Sequence, residues 1–261
     1  VVLLPLSWAI AIVSSRANHQ LLELALDAMD RDPALAEQIL QLVPADDDPS
    51  LLAALTEAQA RQGHWPQAEE SARKWTTAQP KSAAAWQALA HVKQQQQKIV
   101  PSRAALEKAL ALTKPSEARD ALHYQLFKLC LLTEDASEAR EHVDAIQSDQ
   151  ERQIHQASLA YAHLLRLEGK LEEAHRLAST HVGSTKENQS VAALMLRGII
   201  ELDQGKYAAA EANLAAVVTA EPQNKEAHYK LGVALRSLGR SDEARQHLDI
   251  SQKLAPTSER R

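Results

Sequence analysis

From residue 49 onward the apolar positions recur three and four apart, the spacing that puts them on one face of an α-helix. The clearest stretch is 225–258. Leu231, Gly232 and Leu235 mark a first helix, Ala244 and Leu248 a second, and Gly239 sits between them, where a left-handed cap favours glycine. Pro222 and Pro256 bracket this stretch 34 residues apart. The window 191–224 repeats the pattern with Leu194, Gly198, Gly205, Ala210, Leu214 and Pro222, but carries Arg197 and Glu201 at apolar positions, four apart as in an ion pair along one helix face. Further back the pattern fades and keeps its register. Window 155–188 has Tyr161, Ala162, Leu165, Gly169, Ala174 and Ala178; window 120–153 has Leu126, Phe127, Cys130, Ala139 and Val143, with Glu134 at the turn. Window 83–115 has Trp86, Leu89, Ala90, Ala105 and Ala109, and window 49–82 has Leu52, Leu55, Gly63, Ala68, Ala72 and Trp75. Six helix pairs are expected, and no alternating strand-like segment occurs.

A period of this length belongs to helix pairs that bury their apolar faces only by stacking on neighbours. The last window, with His228, Leu231, Gly232 and Leu235 in its first helix, Ala244 and Leu248 in its second, and Pro256 at its end, resembles the tetratricopeptide repeat. The resemblance implies an all-α, right-handed superhelical solenoid of about six pairs over 49–258. Composition agrees: 45% of residues are hydrophobic and only 3% aromatic, so the core consists of small aliphatic side chains that let helices approach to about 8–10 Å.

The N-terminus reads differently. Residues 1–13 carry no charge, and the segment 1–14 is expected to be a hydrophobic membrane helix, cut short, since a full span needs about 20 apolar residues. A signal-peptide remnant, with Ala9 and Ala11 in small-x-small form, and an apolar cap helix on the first repeat are the alternatives. Residues 15–48 are expected to form linker helices or an atypical N-terminal cap, with Leu21, Leu24, Ala25 and Ala28 at helical spacing and Asp32-Pro33 starting a second helix. Asp46, Asp47 and Asp48 before Pro49 read as a helix cap; adjacent carboxylates point apart and lack calcium-loop spacing.

The chemistry is sparse. No phosphate loop, H-E-x-x-H pair or G-x-S-x-G turn is present, so no catalytic, cofactor or metal residues are assigned and no enzyme is expected. His155 and His163 are eight apart without a further ligand beside them. Cys130 is the single cysteine and falls on the inward side of a first helix. Asn188 to Ser190 form a glycosylation sequon. A net charge of −5 supplies no basic field, so nucleic acid is not an expected partner.

What remains is a binding surface. In the tetratricopeptide family the first helix of each pair lines a concave groove, and carrying that register over nominates Glu57, His91, Tyr124 and Lys128, then His163, Arg166, Met195, Tyr229 and Arg236, with Gln87, Leu132 and Val233 between them. Lys, Arg and Tyr there suit a protein or peptide of acidic and amphipathic character. The resemblance implies a non-catalytic, membrane-tethered scaffold of a bacterial envelope complex, anchored in the inner membrane with its repeats in the periplasm. Two other readings stand beside it: the repeat tail of a larger membrane enzyme such as a glycan transferase, and a solenoid that self-associates through its C-terminal repeat, which ends without a polar capping helix.

Overall fold

The computed structural model describes residues 19–42, 48–114, 117–156, 158–182 and 187–254. The expected membrane segment 1–14, Asp46, Asp47, Pro115 and Pro256 lie outside them. Among the described residues there is no strand, and no helix is long and apolar enough to cross a membrane.

The helices are α1 (19–29), α2 (Pro33–Gln41), α3 (Pro49–Arg61), α4 (Trp65–Ala78), α5 (Ala83–Gln95), α6 (Ile99–Leu112), α7 (Glu117–Leu132), α8 (Ala136–Asp144), α9 (Asp149–Gln156), α10 (Leu159–Leu167), α11 (Leu171–Thr180), α12 (Glu187–Asp203), α13 (Tyr207–Ala220), α14 (Lys225–Ser237) and α15 (Ser241–Lys253). The chain divides into two compact units, Val1–Leu129 and Cys130–Arg261.

First helices start on side-chain caps. Asp48 accepts from the Ser50 amide at 2.8 Å, Ser82 from Ala85 at 3.3 Å, Ser158 from Tyr161 at 3.3 Å and Asn224 from Ala227 at 2.9 Å. They stop on one residue in the left-handed region: Gly63, Gln97, Glu134, Gly169, Gly205 and Gly239, with φ between 55° and 80°. In all six turns the next amide returns to the carbonyl four residues before the left-handed one. The bonds run from His64 to Gln59, Lys98 to Lys93, Asp135 to Cys130, Lys170 to Leu165, Lys206 to Glu201 and Arg240 to Leu235, at 2.8–3.0 Å. This closes the orphan carbonyls of each helix end in the Schellman manner.

In the first unit α1, α2 and α3 share a core of Ala25, Met29, Leu40, Leu51 and Ala58, so residues 19–41 pack as a helix pair on the first repeat. A second cluster joins Ala72, Leu89, Leu106, Leu122 and Leu126. In the second unit Ala162, Leu165, Ala174 and Ile200 form one cluster, and Leu214, Leu231, Leu235 and Ala244 another.

One boundary needs correction. The windows 120–153 and 155–188 meet inside α9, a helix that the repeat pattern does not contain. Its chain enters around buried Ile146, whose carbonyl accepts from Arg152 Nε at 3.0 Å and Nη2 at 2.6 Å. The following first helix therefore begins at Leu159, not at 155.

Candidate functional site

The left-handed residues supply a structural register for the nine nominated side chains. Tyr124, Met195 and Tyr229 each stand ten residues before the left-handed residue of their own turn; Glu57, His91, Lys128 and His163 stand six before; Arg166 and Arg236 stand three before. Those offsets are four and three residues apart, so all nine fall on one stripe of their first helices.

In the first unit α3 and α5 are neighbours and carry Glu57 and His91, both exposed. Glu57 accepts from Arg61 Nε at 2.8 Å, and the His91 ring meets Trp65 edge-on at 6.3 Å. Tyr124 is half-buried on α7, and exposed Lys128 holds its ammonium 4.9 Å from the Tyr124 ring.

In the second unit α10 contacts α12, and α12 contacts α14. Arg166 on α10 is held by its terminal nitrogens: it donates to Asp203 at 2.9 Å and to His163 Nε2 at 3.1 Å, and stands 3.8 Å from Glu134. Burial and the adjacent Arg166 charge push the His163 pKa down, so its Nε2 keeps the lone pair that accepts this bond. Arg166 therefore ties α10 to the end of α12 and offers little to a ligand. Met195 is half-buried against the core of α13 and α14. Tyr229 is 48% exposed, and Arg236 is exposed with no carboxylate at ion-pair distance among the described residues.

Polar side chains fasten five of the six turns to the second helix of the pair before it. His64 Nδ1 lies 3.0 Å from Glu37, Lys98 bonds Glu69 at 2.9 Å, Glu168 bonds Arg140 at 2.7 Å, Lys206 reaches Glu172 at 3.3 Å and Arg240 bonds Glu211 at 2.5 Å. Sequence reading overlooks this set because the partners lie about one repeat apart and differ in chemistry. Burial pushes the Glu69 carboxyl up, but hydrogen bonds from Lys93 and Lys98 outweigh it and hold the pKa at about 2. Arg140 likewise holds Glu168 below the ordinary carboxylate range and also donates to the Tyr161 hydroxyl at 2.9 Å. Arg197 and Glu201 do pair, at 3.2 Å, but Glu201 is only 2% exposed and is also met by His175 at 3.0 Å and Asn213 at 2.5 Å.

Residues 195–259 match the family model of the tetratricopeptide repeat. Along its length the chain superposes on a tetratricopeptide repeat protein from Parabacteroides merdae with a TM-score of 0.66 and 18% identity, covering 94% of this chain and 95% of that one. The chain has a tetratricopeptide-repeat fold. A TM-score of 0.68 relates it to NprR, solved in complex with its cognate peptide NprX, at 16% identity over 93% of this chain and 79% of that one. A chain of the APC/C hetero-tetramer Cut9-Hcn1 scores 0.60 at 15% identity, covering 94% of this chain and 44% of that one. No curated protein matches the sequence. The family match spans the helices that carry Met195, Tyr229 and Arg236.

Proposed function

We propose that this protein is a non-catalytic scaffold that binds an extended or helical peptide segment of a partner on the first-helix stripe, with its main anchor at Met195, Tyr229 and Arg236. The observation that carries this reading is the contrast along one register: Arg166 is tied down by Asp203, Glu134 and His163, while Arg236 and Tyr229 on α14 are exposed to solvent. Exposed aromatic and arginine side chains on a preformed surface are the usual anchors of a peptide interface. A carboxylate three or four positions from an apolar side chain in the partner would meet Arg236 and Tyr229 together.

Peptide selection from a random displayed library, followed by fluorescence anisotropy with the selected peptide, tests the reading. Acidic and apolar peptides that bind the wild type and lose most of their affinity to Tyr229→Ala and Arg236→Glu support it. Peptides that bind both variants as well as the wild type contradict it.

Tethering to a membrane through residues 1–14, and a role in an envelope assembly, belong to the same proposal and rest on the uncharged run at 1–13. Flotation of the full chain with lipid vesicles, lost on deleting 1–14, is the expected result; equal flotation without the segment removes this part.

A further inference from the structure

Among the described residues, one group of potential metal ligands converges: Cys130, Glu138 and His142, whose ligand atoms all lie within 4.8 Å of one another. All three belong to the second unit. Cys130 comes from the last turns of α7 and is fully buried; Glu138 and His142 come from the first and last turns of α8 and are half-buried. We infer that these side chains form a binding site for a borderline-soft divalent cation of the zinc type, which clamps α7 to α8.

The donor set fits that chemistry. A thiolate, an imidazole and a carboxylate are the three donor types that zinc accepts, and three protein ligands leave a fourth tetrahedral position for water or a donor from a partner. Bonds of about 2.0–2.3 Å at a tetrahedral angle put ligand atoms roughly 3.3–3.6 Å apart, so closing the site asks only for side-chain rotations of about an ångström. Glu138 and His142 are four residues apart on one helix, the spacing that presents two ligands to one point. A thiolate and a carboxylate would neutralise a divalent charge, and the cation displaces the thiol proton on binding.

Each residue has a separate reason to be where it is. A cysteine fills a small core position, a glutamate suits a first turn and a histidine suits a last turn. Beyond those separate reasons, the three ligand atoms share one spot, all within 4.8 Å of one another. The position in the fold adds a further argument. The α7–α8 turn uses Glu134 at φ 55° where four other turns use glycine, and α8 has nine residues against fourteen in α4, α6 and α13. A metal clamp would reinforce the pair with the least regular turn and the shorter second helix. In the sequence the sign is an E-x-x-x-H on one helix with a cysteine eight residues before it, which is too common a pattern to stand alone.

The test is titration of the full chain, stripped of metal, with Zn²⁺ by calorimetry and with Co²⁺ by absorption. The site predicts one equivalent of tight binding and a thiolate-to-cobalt charge-transfer band. Glu138→Gln and His142→Gln should each weaken Zn²⁺ binding roughly 100-fold, at least as much as loss of an outer-shell partner costs. Cys130→Ser should abolish the band, while His19→Gln, at an exposed residue of α1, leaves Zn²⁺ binding unchanged. Zn²⁺ should raise the Tm of the wild type and of His19→Gln, but not of the three site variants. Absence of the band with Co²⁺ bound, or unchanged affinity in Glu138→Gln and His142→Gln, overturns the site. Those two variants decide the matter even if Cys130→Ser fails to fold.

Discussion

Gly232 and Leu248 meet with no room for one more carbon: a Cβ on Gly232 would stand 2.8 Å from Leu248 Cγ and 3.1 Å from the Ala244 carbonyl oxygen. One repeat earlier Gly198 meets Leu214 in the same way, at 2.7 Å. Because Cγ is a branch point and backbone stands behind it, neither neighbour can step aside cheaply. Gly232→Val is expected to destabilise the protein by about 3 kcal/mol through overpacking, measured as a shift in the urea midpoint. Leu248→Ala in the same chain should recover part of that loss, and purely additive effects would argue against the contact.

The turns give a prediction about backbone alone. Gly205 and Gly169 have φ above 70° and open space around the missing Cβ, so Gly205→Ala should cost about 1 kcal/mol with nothing to clash against. Gln97→Gly, at φ 59°, is expected to be neutral or stabilising by about 0.5 kcal/mol. Thermal unfolding of the two variants checks the opposite signs.

Repeat architecture was legible because the apolar period and the turn glycines are local signals. At Glu134 and Gln97 the turn is placed by the repeat register alone, since a left-handed residue without glycine leaves no mark in composition. The α9 insertion went unread because it sits between repeats and is stabilised by Arg152 capping the Ile146 carbonyl, a contact between residues of no shared pattern. Of the stripe, the positions were readable from the register but the occupancy was not. Arg166 and Arg236 stand at the same offset from their turns, and only the fold shows Asp203 and Glu134 against the first.

Acid stability should carry the signature of Glu69. Its folded pKa, about 2, lies below its ordinary value of 4.5, so the stabilisation it gives is present above about pH 4.5 and is lost as pH falls toward 2. Urea unfolding from neutrality down to about pH 3 should show this loss in the wild type. Glu69→Gln, less stable at neutral pH because Lys93 stays buried beside it, should show a shallower acid limb. An identical limb in both proteins would assign the acid sensitivity elsewhere.

Glu201 tests the internal polar network. Asn213→Ala removes a buried amide donor 2.5 Å from that carboxylate and is expected to cost about 2 kcal/mol. Adding Glu201→Leu removes the buried charge itself, so the double variant should be more stable than Asn213→Ala alone. Chemical denaturation of the two variants measures this, and a further loss in the double variant would mean that the carboxylate is stabilising for another reason.

The central claim is that partner peptides seat on the first-helix stripe. It is tested most directly by replacing Tyr229 on α14, or Tyr207 on α13, with a photo-crosslinking phenylalanine analogue and irradiating the purified protein with its selected peptide. Both tyrosines are exposed, at 48% and 37%, but Tyr207 opens a second helix and lies off the stripe. A covalent adduct at position 229 with none at 207 is the predicted result. An adduct at 207 with none at 229 would contradict it.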